Sequence, residues 1–338
     1  MEQKFRLPKP YGPKLTPYES QKAIKFIRDT FQNKFSSGLN LTRVSAPLFV
    51  LKSSGLNDNL SGSEHPVSFE TPEIPDEQIE IIHSLAKWKR DALYRYGYPI
   101  GDGLYTDMNA IRKDEFLDNT HSLYVDQWDW ELIIDPKDRT LEFLKATIRK
   151  IYGVVKELES ALLEQYPQLR PPNLPEDIYF ITSQTLETRY PDATPEEREA
   201  FISKEKGAVC ILQIGECLES GTCHGHRAPD YDDWALNADI IFHHHILDEP
   251  LEMSSLGIRV NAKSLDEQLQ KAGASDRSLL PYHQNILNGV LPQTIGGGIG
   301  QSRLCMFLLQ KAHIGEVQVS VWDPETIRQC AAKKIPLL

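Results

Sequence analysis

The sequence contains no apolar run long enough to span a bilayer, so a transmembrane helix is not expected. Positive charge is also short. Lys and Arg total 37 against 48 Asp and Glu, a net charge of −11. Binding to the nucleic-acid backbone normally shows as a basic excess, so a broad nucleic-acid footprint is disfavoured. The opening MEQKFRLPKPYGPKL carries basic residues but no apolar segment behind them, which fits neither a secretory signal nor an anchor. The expectation is a cytoplasmic protein with no membrane partner. Cysteine is sparse and odd in number: Cys210, Cys217, Cys223, Cys305 and Cys330. That argues against a secreted disulfide scaffold. Several catalytic signatures are missing as well. There is no serine nucleophile elbow, no kinase glycine loop with its lysine, no His-Glu-x-x-His and no P-loop Gly-Lys-Ser/Thr.

What is present reads as an ordinary globular chain of 338 residues, 40% hydrophobic and 25% charged. Residues 1–15 read as an N-terminal extension, with Pro8, Pro10 and Pro13 spaced against helix. Residues 16–338 read as a single domain. The Pro-rich stretch near 172 is the only candidate break, and candidate site residues lie on both sides of it. Ile24, Ile27, Phe31 and Phe35 predict a helix from Pro17, stopped by Ser36-Ser37-Gly38 and followed by a short strand ending at Pro47. The stretch Leu56–Gly62 reads as a loop. Strand-like Ile79–Ile82 leads into a basic, mixed segment to Tyr96. Residues 103–112 and 121–132 predict an antiparallel hairpin, and 140–165 an amphipathic helix. Further strands are expected at 177–182, 208–214, 238–243 and 251–260. A glycine turn at Gly296–Gly300 opens a last helix. Strands outnumber helices and hairpin neighbours dominate. The expected class is α+β, a mostly antiparallel sheet flanked by helices.

Alternation along the second hairpin strand puts Leu123, Val125, Gln127 and Asp129 on one face and Ser122, Tyr124, Asp126, Trp128 and Trp130 on the other. An amide beside a carboxylate suits a small ligand bearing an ammonium and a carboxyl group. A solvated polar strand end is the alternative. In Arg112-Lys113-Asp114-Glu115 the arginine suits a phosphate and the acids an amine or metal. An ordinary charged turn is the alternative there. Asp239 and Glu252 sit in apolar strands, where a carboxylate is costly unless paired or bound to a cation. Together they suit Mg²⁺ between themselves and the phosphates of ATP. Alternatively both face solvent, or Arg259 neutralises one of them. Glycines 296–300 and Arg303 at a helix start suit an anion. Cys217, Cys223, His224 and His226 lack the paired spacing of a structural zinc site, and a polar loop is the reading preferred. His243-His244-His245 reads as an exposed strand end. Lys87–Tyr96 interleaves basic and aromatic residues of a kind that contacts RNA, but it is a single patch on an acidic chain, and no nucleic-acid partner is expected.

Three segments resemble the motifs of class II aminoacyl-tRNA synthetases: the helix and strand ending at Pro47, the hairpin with Arg112, and Gly298-Ile299-Gly300-Gln301-Ser302-Arg303. More specifically, the chain is similar to the ammonia-dependent asparagine synthetases, which share that catalytic fold. The similarity rests on Asp58–Gly62, His83–Arg90, Val125–Glu131, Arg227–Trp234, Glu252–Arg259 and Pro292–Arg303. It implies an enzyme converting L-aspartate and ammonia to L-asparagine with ATP as substrate and Mg²⁺. β-Aspartyl-AMP would be the intermediate, and AMP and pyrophosphate the by-products. By that resemblance Asp58 attracts ammonium. Lys89, Gln127 and Asp129 recognise aspartate beside His83 and Ser84. Arg112 grips the α-phosphate near Asp114 and Glu115. Asp232, Ser255, Arg259 and Arg303 line the ATP side, and Asp239 and Glu252 hold the metal. A homodimer follows from the first motif. Ser63 leaves no redox role beside the Asp58 loop, and the Trp234–Asp239 connection reads as short. An aspartyl- or asparaginyl-tRNA synthetase-like enzyme and a non-catalytic paralogue sensing aspartate or adenylate are the competing readings. The first calls for an anticodon-binding barrel ahead of the catalytic motifs, and none is read here. The second should have lost an ATP-holding residue, whereas Arg112, Asp239, Glu252 and Arg303 are all present.

Overall fold

The computed structural model describes residues 5–7, 10–58, 60, 64–169 and 174–338. Pro8, Asn59, Ser61–Ser63 and the prolines at 171–172 lie outside them. The strands are β1 (Leu41–Arg43), β2 (Phe49–Leu51), β3 (Ser68–Thr71), β4 (Ile74–Ile81), β5 (Gly103–Ile111), β6 (Tyr124–Ile133), β7 (Tyr179–Thr182), β8 (Ala208–Leu212), β9 (Asp232–His244), β10 (Glu249–Arg259) and β11 (Thr294–Gly300). The helices are α1 (Pro17–Leu39), α2 (Ala86–Arg95), α3 (Leu141–Gln165), α4 (Ser183–Arg189), α5 (Pro195–Lys206), α6 (Ala262–Lys271), α7 (Pro281–Leu287), α8 (Gln301–Leu308) and α9 (Pro324–Ala332).

Eight strands form one sheet in the order β1-β5-β6-β11-β10-β9-β8-β7. It is antiparallel except at its two ends, where β1 joins β5 and β7 joins β8 in parallel. A small second sheet is ordered β2-β4-β3. The predicted α+β class, with a mostly antiparallel sheet, is the one observed. No helix of the described residues is long and apolar enough to cross a membrane.

Helix α1 starts at Thr16, whose side chain caps Glu19 N while Glu19 returns the bond to Thr16 N. Its buried stripe Ile24, Ile27, Phe31 and Phe35 packs on the sheet. Phe31 meets the Trp128 ring at 4.5 Å and Phe35 meets Trp130 edge-on. The aromatic face of β6 therefore points into the core, which turns Gln127 and Asp129 to the opposite face. The helix does not stop at Ser36-Ser37-Gly38. Both serine hydroxyls bond back to Asn33 O, and Asn40 in the left-handed region ends it. Within the basic, mixed segment that follows Ile82, Ala86–Arg95 form helix α2. Trp234 and Asp239 lie within one strand, β9, so nothing connects them but the strand itself. His243 and His244 in that strand are buried, and only His245 is exposed. The described residues of 1–15 pack on the C-terminal part of the chain: Phe5 joins Ala312, Cys330 and Ile335, and Tyr11 donates to Glu316.

Candidate active site

The glycines expected to form a turn instead form strand β11, between β6 and β10. Glycine is a poor strand former. Here it is required by close approach. A Cβ on Gly298 would lie 2.3 Å from Gln127 Oε1, and one on Gly296 would lie 1.9 Å from Glu131 Oε2. The long polar side chains of β6 thus lean across β11 and reach the open face of the sheet. A cavity of about 360 Å³ stands over that face.

At its floor Lys89 of α2 donates to Asp129 Oδ1 and to the Gly297 carbonyl, the latter at 2.8 Å. Both side chains are nearly fully buried. Burial pushes the Lys89 pKa down, and the Asp129 carboxylate opposes this. Asp129 Oδ2 is buried in the cavity wall with no hydrogen-bond partner. It is an acceptor held ready for a cationic donor. Arg112, at the end of the hairpin, also lines the cavity, and its buried Nε has no partner. Arg303 reaches in from the first turn of α8, with Nη1 donating to Glu252 O at 3.1 Å.

Lys87, Lys89 and Arg90 of α2 are all buried, while Tyr94, Arg95 and Tyr96 at its end are exposed. Lys87 bonds Asp230 at 3.0 Å, and His283 and Arg277 share that carboxylate. Burial opposes the Asp230 charge, but Lys87 and His283 outweigh it and hold the carboxyl far below its usual range. Arg90 donates to the carbonyls of Pro292 and Val260. These bonds fasten the 227–232 segment and the start of β11 to α2.

Of the residues singled out in the sequence, Asp58, Ser84, Lys89, Arg112, Glu115, Gln127, Asp129, Asp232, Glu252, Ser255, Arg259 and Arg303 line this one cavity. Three lie off its wall. His83 is buried behind Asp58, with Nδ1 3.2 Å from the Asp58 carbonyl. Asp114 faces outward and accepts from His65 N at 2.9 Å. Asp239 lies behind Arg227, which pairs with it and also donates to Ser255 Oγ at 2.5 Å. Arg259 does not neutralise Asp239 or Glu252. It is fully buried against Glu131, at 2.9 and 2.7 Å, and against Asp232. Burial and Glu131 pull the Arg259 pKa in opposite directions, and the carboxylates win.

Sequence reasoning gave no role to Arg227 or Glu131. An isolated arginine in a loop and a single acid in a strand carry no spacing signal. Their partners Asp239 and Arg259 lie 12 and 128 residues away. His224 turns away to Glu199 at 3.1 Å. Among the described residues no group of three or more His, Cys, Asp and Glu side chains gathers to hold a metal ion. The pair Asp239 and Glu252 on neighbouring strands still fits a hard cation that also binds phosphates. Burial raises the Asp239 pKa to about 6; Arg227 opposes this and Glu252 adds to it. Two carboxylates that feel each other's charge, with oxygen donors only, suit Mg²⁺.

This sheet and cleft define a catalytic domain of the class II aminoacyl-tRNA synthetase fold. The asparaginyl-tRNA synthetase of Pyrococcus horikoshii, solved with asparaginyl-adenylate, matches with a TM-score of 0.66 at 12% identity, over 89% of this chain and 68% of that one. The Entamoeba histolytica asparaginyl-tRNA synthetase with asparaginyl-adenylate matches with a TM-score of 0.63 at 14% identity, over 89% of this chain and 66% of that one. A family model described as aspartate-ammonia ligase matches residues 18–334. An aspartate–ammonia ligase of Clostridium perfringens is 57% identical over 99% of this chain and all of its own length. One of Lactiplantibacillus plantarum is 58% identical over 94% of this chain and 98% of its own. The chain belongs to the aspartate–ammonia ligase family, a family of ligases.

Proposed function

We propose that the chain makes L-asparagine from L-aspartate, ammonia and ATP through a β-aspartyl-AMP intermediate, at the cleft over β6, β10 and β11. The observation that carries this reading is Asp129. Lys89 holds one carboxylate oxygen, and the other is buried in the cleft wall unpartnered. That oxygen suits the α-ammonium of aspartate, with the Gln127 amide beside it for the carboxylate end.

Arg112 and Arg303 take ATP, with Arg112 at the α-phosphate. The side-chain carboxylate of aspartate attacks that phosphorus and pyrophosphate leaves. The two arginines hold the charge that builds on the transferring phosphoryl oxygens, and the buried cleft keeps them oriented beforehand. Asp239 and Glu252 would hold Mg²⁺ against the phosphates, where the ion supplies charge neutralisation. Arg227 spans Ser255 and Asp239, keeping that carboxylate fixed. In the second half Asp58 takes a proton from ammonium. Ammonia then attacks the carbonyl carbon of the mixed anhydride, and AMP leaves. Asp58 is buried at the cavity edge, and its Oδ1 accepts from Leu60 N at 2.9 Å. A homodimer and a cytoplasmic setting belong to the same reading. The exposed Leu48, Phe49, Leu51 and Phe69 on and beside the small sheet support the dimer.

The test is to follow asparagine and AMP together with ATP, Mg²⁺, aspartate and ammonium, for the wild type and Arg303→Ala. Equal amounts of both products, formed only with ammonium, are expected. The variant is expected to lose on the order of 100-fold or more in turnover, the usual effect of removing a group that holds transition-state charge. Pyrophosphate exchange with aspartate but no asparagine would show that the acceptor is not ammonia.

A further inference from the structure

Cys217 and Cys223 face each other across a small hairpin outside the strands of the main sheet. Its turn is Glu219-Ser220-Gly221. Gly221 N donates to Leu218 O at 2.8 Å, Leu218 N donates to Thr222 O at 2.7 Å, and Gly221 has φ +85°. This is a three-residue turn closed by a glycine of positive φ. It makes Leu218 and Thr222 the last hydrogen-bonded pair. Cys217 and Cys223 are then the adjoining pair without mutual backbone bonds, where α-carbons of an antiparallel ladder come closest, about 4.5 Å. That spacing lies inside the range of about 4.4–6.8 Å that a disulfide spans. The two Sγ atoms are 3.5 Å apart, and both residues are exposed. The other cysteines, Cys210, Cys305 and Cys330, are buried.

The pair lines a second cavity of about 540 Å³, whose wall includes Leu60, His226 and Arg227. The same three residues line the catalytic cleft. From Cys223 the chain runs through Gly225 directly into Arg227. Among the described residues no third ligand joins the two thiols into a metal cluster. Two accessible thiols in van der Waals contact on a turn of matching geometry suit disulfide chemistry.

We propose that Cys217 and Cys223 form a reversible thiol–disulfide site that exchanges with small disulfides beside the catalytic cleft. One thiolate attacks a sulfur of the small disulfide and releases one small thiolate, leaving a mixed disulfide on the protein. The second cysteine attacks the protein sulfur of that adduct and expels the other small thiolate. Two protein thiols are oxidised, two protons leave, and one small disulfide is reduced to two thiols. Excess small thiol reverses the sequence.

The test uses the full folded chain, oxidised glutathione as probe, and mass spectrometry after alkylation in denaturant. The expected product is two hydrogens lighter, joins Cys217 to Cys223, leaves Cys210, Cys305 and Cys330 alkylated, and reverts with a small thiol. Cys223→Ser should instead retain a stable glutathione adduct on Cys217. A persistent adduct on the wild type would overturn the proposal. So would five alkylated cysteines, or a link that forms only in denaturant.

Discussion

At Asp129 two demands meet in one side chain. One oxygen is held by Lys89 at the floor of the cleft, and the other, buried and unpartnered, is the one proposed above for the ligand. Breaking a buried pair by removing one partner leaves an uncompensated charge and costs about 3–5 kcal/mol. Lys89→Met is therefore expected to lower unfolding free energy in urea by about that amount. The double change Lys89→Met, Asp129→Leu should recover much of the loss, because neither charge is then stranded. Aspartate binding should be lost in both. A double variant no more stable than Lys89→Met alone would mean that the pair is not the source of the cost. Lys89 also shows why part of the site was hard to read. Lys87, Lys89 and Arg90 look like a solvated basic run because their partners, Asp230, Gly297, Pro292 and Val260, are over 140 residues away in sequence. Gln127 and Asp129 were legible because strand alternation separates them from the two tryptophans without any long-range knowledge.

At the scale of elements, β11 is the least strand-like segment by composition and yet central to the sheet. The hairpin β5–β6 and helix α3 follow directly from period-2 and period-3.6 patterns. The glycine strand does not, because its composition answers to side chains on β6. The two glycines should respond differently to alanine. On Gly296 a Cβ meets the Glu131 carboxylate, which Arg259 and Thr294 hold in place, and the Trp130 carbonyl at 2.6 Å. Gly296→Ala is expected to fail to fold or to lose several kcal/mol of stability, as overpacking against a fixed buried network does. On Gly298 the nearest atom is the far end of the flexible Gln127 side chain, which lines the cavity. Gly298→Ala should keep its melting temperature nearly unchanged and raise KM for aspartate roughly tenfold, about 1.4 kcal/mol of lost binding. Equal stability losses in the two variants would contradict this account. Helix α5 carried a readable signal, Thr194-Pro195 with Glu197 forming a capping box, but its short apolar pattern gave no period to confirm it.

For the whole molecule, acid sensitivity should come from histidines buried away from the chemistry. Burial, with the neighbouring His245 and His243, pushes His244 down to about 4, and burial does the same to His313. The ordinary value is 6.5. Between these limits the unfolded chain binds the extra protons, so stability is complete above about 6.5 and falls as pH drops toward 4. The loss is about 3 kcal/mol for each residue by pH 4, taking 1.36 kcal/mol per pKa unit. Urea midpoints measured across that window should fall steeply for the wild type and less steeply for His313→Asn. The asparagine keeps an acceptor for Gly315 N–H and carries no titrating ring. An unchanged slope would place the acid sensitivity elsewhere.

In the mechanism proposed for this cleft, the side-chain carboxylate of aspartate bonds to the α-phosphorus of ATP. The most direct measurement is to supply aspartate labelled with oxygen-18 in that carboxylate and to examine the products by mass spectrometry. Attack at the α-phosphorus leaves one labelled oxygen in AMP when ammonia displaces it, and the pyrophosphate stays unlabelled. Label in inorganic phosphate, together with ADP in place of AMP, would mean attack at the terminal phosphate and would contradict the mechanism derived from Arg112 and Arg303.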